Sequence, residues 1–282
     1  MKATVLFVAV AVCIFFQPVH GQAQSSGGML PDTLQLVFGQ AAEKRYVPRV
    51  RAVHGLPAEL TVEQVTACYD FLTQKLESQP LSDLEFNGLK NELVFALMRL
   101  RRKPEELASR LVSMYQDQSL DSTWRDYCVQ FFGKWYDAAP RNEGRDAMAT
   151  ALWDVLKNER ASRFAGAAAT QLGFLAGKYP EFPRDAVSSA CLEALLDPLC
   201  SETSKVALLQ VCASLDAAGA LAEARRLAAM KSNPILRASA IAAVGMLGDY
   251  SDLVWLTPLA ESPDLRLRKP AQAAISKIKE IP

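Results

Sequence analysis

The chain has 282 residues, half of them hydrophobic, with 31 basic and 31 acidic side chains and a formal net charge of zero. That balance excludes the basic surplus that a nucleic-acid-binding domain carries. It also excludes a disordered chain, which combines low hydrophobicity with high net charge, and the length accommodates one or two domains with a substantial core.

Met1-Lys2 opens the chain, an apolar run follows from Ala3 to Phe16, and Gln17-Pro18-Val19-His20-Gly21-Gln22-Ala23 comes next. A positive start, a short apolar run and small residues at a cleavage position predict a secretory signal peptide over 1–23, cut after Gly21 or Ala23. The run is too short for a membrane-spanning helix. A lipoprotein signal through Cys13 fits less well, because Val12 stands where a small residue is expected and Ile14-Phe15-Phe16 prolong the apolar run. A secreted or periplasmic location follows, with no transmembrane span after cleavage. Beyond the leader lie Cys68, Cys128, Cys191, Cys200 and Cys212, an odd number that leaves at least one thiol free or bonded to another chain. Three of them, Cys68, Cys128 and Cys212, sit in helical apolar patterns as small hydrophobes. Whether Cys191 and Cys200 bridge stays open, since spacing does not fix geometry.

Residues 24–57 read as an irregular lead-in. A short helix over Asp32–Lys44 is interrupted by Gly39, and Arg45, Arg49 and Arg51 make the segment around Pro48 locally basic. A solvated arm is the expected role, a binding arm the alternative. Regular helices start at Thr61, which has capping-box spacing to Gln64. Val62, Val65, Cys68, Leu72 and Leu76 then share one face. Ser82 and Glu85 repeat the box ahead of Phe86, Leu89, Leu93, Leu97 and Leu100, and Arg101-Arg102-Lys103 suits the negative end of that helix dipole. Pro104-Glu105-Glu106 opens a helix striped by Leu107, Leu111 and Met114.

The stretch from Asp121 to Ala139 is the most aromatic. Trp124, Cys128, Phe131 and Trp135 fall on one helical face, and Tyr127, Phe132 and Tyr136 widen it. Two readings compete. Aromatics most often fill cores; they also anchor partners. As a partner-binding platform the candidates are Trp124, Tyr127, Trp135 and Tyr136, with Tyr136 expected to be the most exposed.

From Arg141 onward helices come in pairs, the first capped by Asn142. Asn233 caps and Pro234 opens a helix that is apolar on nearly every side up to Leu247, where Gly248 is expected to close it in the left-handed conformation. The design returns 31 residues later: Arg237 falls on Arg268, Ala240 on Ala271, Ala243 on Ala274 and Leu247 on Ile278. A period of that length marks stacked units. The last helix is more polar, as a terminal cap must be, and Pro270 lies inside it.

SNPILRASAIAAVGMLGD and SPDLRLRKPAQAAISKI resemble HEAT repeats in their short bacterial form, with a proline near the helix start, an arginine, close-packing alanines and a large apolar end. The likeness is clearest over 218–280 and loosens toward the N-terminus. It implies an all-α fold, a right-handed α-solenoid of stacked antiparallel helix pairs over 58–282 with its best repeats over 141–280. It further implies that the second helices line a concave face, and that Arg237 and Arg268 join a structural ladder with an acidic residue, Asp264 being the candidate in the last repeat.

His54 is the one histidine beyond the leader, so paired-histidine metal sites are excluded, and HExxH, GxSxG, P-loop and GxGxxG patterns do not occur. No catalytic residue, cofactor or metal is expected. The functional expectation is an exported, non-enzymatic repeat protein that holds a protein or peptide partner on its concave face, with no nucleic acid. The alternative is a cell-envelope hydrolase acting on glycans through scattered carboxylates.

Overall fold

The structure is a computed structural model that describes residues 32–42, 44–75, 80–139, 143–230 and 233–280. The expected leader, the Asn142 cap and the stripe position Leu76 lie outside the described residues. Fourteen α-helices and no strand occur among those that are described. They are α1 (Asp32–Val37), α2 (Tyr46–His54), α3 (Val62–Leu72), α4 (Asp83–Arg99), α5 (Leu107–Gln116), α6 (Ser122–Ala138) and α7 (Glu143–Asn158), followed by α8 (Phe164–Leu175), α9 (Arg184–Leu196), α10 (Glu202–Ser214), α11 (Leu221–Ala229), α12 (Pro234–Leu247), α13 (Leu253–Ala260) and α14 (Leu265–Lys279).

Local chemistry sets these boundaries. Thr61 and Ser82 close full capping boxes with Gln64 and Glu85, and the side chains of Asp121, Ser201, Asn233 and Asp264 accept from the first free N–H groups of their helices. Each odd helix from α3 to α13 packs on the even helix that follows it, and the even helices pack in one unbroken row, α4–α6–α8–α10–α12–α14. The odd helices α5, α7 and α9 form the beginning of a second row. Each unit thus hides the apolar faces of its neighbours, as stacked repeats must. The described residues fold as the all-α solenoid of stacked helix pairs that the sequence implies.

Three local expectations are corrected. The lead-in is not merely irregular: Tyr46–His54 is a helix packed on α4. Pro48 fits because it occupies the first turn, where its missing N–H has no intrahelical partner anyway. Arg49, read as part of a solvated arm, is fully buried and donates its Nε–H to the Val37 carbonyl at 2.8 Å; burial pushes its pKa down to about 10. Gly248 is extended, at φ −82° and ψ −175°, and not left-handed. Glycine is required there by proximity: a Cβ would stand 2.4 Å from Asp252 Oδ2 and 2.6 Å from the Val244 carbonyl. The left-handed C′ glycine does occur after α8, at Gly177 with φ +73°.

The arginine ladder is also rearranged. Asp264 holds Arg266, at 2.9 and 3.0 Å, and Arg237 donates instead to the Ala228 carbonyl at 2.8 Å. Cys191 and Cys200 are free thiols, as are the other three cysteines, and all five are buried.

Candidate functional site

Helix α6 contacts α4, α5, α7 and α8. That coverage decides the fate of its aromatics. Trp124, Trp135 and Tyr136 are buried, and Tyr127 alone of the four platform candidates keeps partial exposure. Tyr136, expected to be the most accessible, is sealed at 0 % exposure. It packs edge-on against Tyr179 and Phe182, with the Arg145 guanidinium 4.1 Å from its ring centre. The aromatic stretch is core, and no four-residue platform forms.

What α4 and α6 build together is a polar cleft. Asp83, Asn87 and Lys90 follow one another at four- and three-residue steps, so they form a stripe along α4. Across from them the turn between α5 and α6 brings Ser119, Leu120 and Asp121, and the segment after α3 brings Gln74 and Lys75. The space between measures about 260 Å³. Asp121 is the hinge of the arrangement: its Oδ1 accepts from Thr123 N at 2.9 Å and Trp124 N at 3.2 Å, capping α6, and from Asn87 Nδ2 at 2.6 Å.

Lys90 forms the floor. It is 2 % exposed, and its Nζ donates to the Gln74 carbonyl at 2.6 Å. The ammonium lies 4.4 Å from the Phe86 ring centre and 5.3 Å from that of Trp124. These neutral partners stabilise the charge, and no carboxylate among the described residues comes within ion-pair distance of it. Burial pushes the Lys90 pKa down to about 8, against a weaker opposing pull from Cys128 and Asp121.

The opposite face of α4 carries a second polar group. His54 at the end of α2 shares a 2.8 Å hydrogen bond between Nε2 and Glu92 Oε2. Tyr46, at the start of α2, sets its hydroxyl against Gly88, where a Cβ would be 2.9 Å away. Burial raises the Tyr46 pKa, and Glu92, Glu85 and Tyr127 add to the rise. His54 is therefore a helix-end residue bonded to α4, with about half of its side chain exposed. Among the described residues no group of three or more His, Cys, Asp or Glu side chains is placed to hold a metal ion.

Sequence periodicity does not single out Lys90 and Asn87, because the apolar stripe of Phe86, Leu89, Leu93 and Leu97 dominates α4. Lys90 stands four residues after Phe86 and four before Val94, both buried, so its position on the apolar side of α4 was the available sign.

No protein-family model and no curated protein matches the chain. Among solved structures it is similar to human deoxyhypusine hydroxylase in complex with glycerol, at 17% identity and a TM-score of 0.34, covering 88% of this chain and 97% of that one. A likeness of that size assigns no activity. The expectation of a non-enzymatic protein- or peptide-binding scaffold is nevertheless corrected. The aromatic platform that was to hold a partner is core: Trp124, Trp135 and Tyr136 are buried.

Proposed function

We propose that this HEAT-like helical-repeat protein captures a small polar ligand in the cleft between α4 and the turn before α6, with the Lys90 ammonium as the anchoring charge. One observation supports the reading: a lysine buried to 2 % exposure faces a cleft of about 260 Å³, and no carboxylate among the described residues lies within ion-pair distance of it. A buried charge that lacks its counter-ion is costly. An anionic group entering the cleft offsets that cost, so binding energy concentrates there. At about 260 Å³ the cleft lies just below the usual range of small-molecule sites, which suits a small ligand.

The charge leaves a signature in stability. The Lys90 pKa is lowered from 10.5 to about 8 on folding, so between those values the unfolded chain binds more protons and stability rises with pH. The penalty is fully present below pH 8 and amounts to about 3 kcal/mol. In Lys90→Met it disappears, while the Gln74 carbonyl loses its donor at a cost of about 1 kcal/mol. The variant is expected to be more stable than the wild type by about 2 kcal/mol at pH 7, with the gap vanishing before pH 10.5 and slightly reversed there. Urea unfolding of both proteins from pH 7 to 10.5 checks this. The buried thiols, whose pKa values rise on folding, pull stability the other way in both proteins and cancel in the difference. A less stable variant at pH 7 would refute an uncompensated ammonium. A small anionic ligand that raises the wild-type melting temperature and leaves that of Lys90→Met unchanged tests the site itself.

The composition of residues 1–23 supports export as the second part of the proposal: a signal peptide directs the chain to the periplasm or the medium. N-terminal sequencing of the mature protein is expected to begin at Gln22 or Gln24. A chain recovered from the cytoplasm with Met1 intact would overturn it.

A further inference from the structure

We infer that the ligand of the Lys90 cleft is zwitterionic, an ω-amino acid whose carboxylate meets Lys90 and whose ammonium meets Asp83. The inference rests on the proposal that this cleft is a ligand site. Its ground is the order of charges along the cleft. Asp83 and Lys90 stand at the two ends of the α4 stripe, seven residues apart, which is about 10 Å of helix rise. Lys75 directly follows Gln74, whose carbonyl holds Lys90 Nζ, so the two cations share one end. Asp83 lies in the first turn of α4, at the other end, and is exposed.

Between them sits a polar middle in which the Asp121 carboxylate is already engaged by N–H donors. Asn87 and Asp121 are tied to each other at 2.6 Å, and Ser119 lines the same wall. Asp121 spends Oδ1 on Asn87 and on the start of α6, which fixes the wall in place. Phe86 and Trp124 hold the Lys90 end in apolar surroundings. A simple anion satisfies Lys90 and then places its own charge in a cleft that also holds Asp83 and Asp121. A simple amine meets the like charge of Lys90. A molecule with both charges, separated by a flexible apolar stem, answers both ends at once. The separation excludes α-amino acids, whose two charges are adjacent.

Calorimetric titration of the full chain at pH 7 with glycine, 4-aminobutyrate, 6-aminohexanoate, hexanoate and hexylamine tests the inference. Affinity is expected to rise from glycine to 6-aminohexanoate, and 6-aminohexanoate is expected to bind at least tenfold more tightly than hexanoate or hexylamine. Asp83→Asn should bring 6-aminohexanoate down to the level of hexanoate, and Lys90→Met should weaken it at least tenfold. Hexanoate binding as tightly as 6-aminohexanoate, with no effect of Asp83→Asn, overturns the zwitterion and leaves Lys90 as a plain anion site. Glycine binding as well as the long compounds overturns the spacing. Binding that survives Lys90→Met unchanged, or no heat from any of the five at millimolar concentration, overturns the cleft reading along with the inference.

Discussion

Asp252→Ala is expected to destabilise the C-terminal repeats by about 1–3 kcal/mol, the cost of leaving the groups that a buried carboxylate holds without their acceptor. Asp252 is 2 % exposed. Its Oδ1 accepts from Arg225 Nε at 2.8 Å and Trp255 Nε1 at 3.0 Å, and its Oδ2 from Arg225 Nη2 at 2.8 Å and Asp249 N at 3.1 Å. One carboxylate therefore joins α11, the turn after α12 and the start of α13. Alanine leaves the Arg225 fork without its bidentate acceptor and the Trp255 N–H without a partner. Asp252→Asn keeps one acceptor oxygen and is expected to lose less. Because a repeat array unfolds by units, the readout is local. Hydrogen exchange should accelerate in α13 and α14 and stay unchanged in α4 to α8. Uniform acceleration along the chain, or none, would sink this account.

The same residue gives the fold an acid-sensitive end. Burial alone would raise the Asp252 pKa, but the hydrogen bonds from Arg225, Trp255 and Asp249 and the Arg225 charge outweigh it, and the carboxyl sits below its usual value. A depressed carboxylate pKa contributes stability above the unfolded value of 3.8, lost as pH falls through the folded one. The C-terminal units of the wild type should therefore weaken below pH 3.8, and Asp252→Ala should lack that share of the acid response.

The helices were legible in the sequence because their ends carry their own chemistry. Asn233 with Pro234, and the boxes at Thr61 and Ser82, specify starts without reference to the rest of the fold. The packing register was legible too, through the 31-residue recurrence of alanines. The candidate site was not. Tyr136 and Trp135 have the look of exposed anchors until α7, α8 and the loop carrying Phe182 close over them, and those are contacts between units. Lys90 follows the same logic. Periodicity places it on the covered side of α4, but only the turn after α3 and the turn before α6, distant in sequence, turn that position into the floor of a cleft. Gly248 is the converse case: the residue type was read correctly and its reason wrongly, since the neighbour that forbids a side chain is Asp252 and not the backbone's own handedness.

Gly245→Val is expected to cost 3 kcal/mol or more, about the upper range of overpacking in a closed core. A Cβ at Gly245 would stand 2.5 Å from the Cα of Ala274 and 2.7 Å from its Cβ. The obstacle is backbone, so no rotamer change relieves it; α12 and α14 must separate. Those two helices form the last step of the even-numbered row, and Ala240, Ala243, Ala271 and Ala274 are buried along it. Small residues on both sides are what let the axes approach, and one branched side chain between them forfeits contacts along the whole seam. Gly173 supplies the control. A Cβ there meets only the Val211 side chain, at 3.0 Å from Cγ1, which can turn aside. Replacing a helical glycine by alanine gains about 1 kcal/mol of intrinsic propensity. Gly173→Ala should thus be near neutral, while Gly245→Ala, with the same propensity gain, should still destabilise. Equal stabilities for the two alanine variants in urea unfolding would mean that α12 and α14 do not approach as closely as the stacking requires.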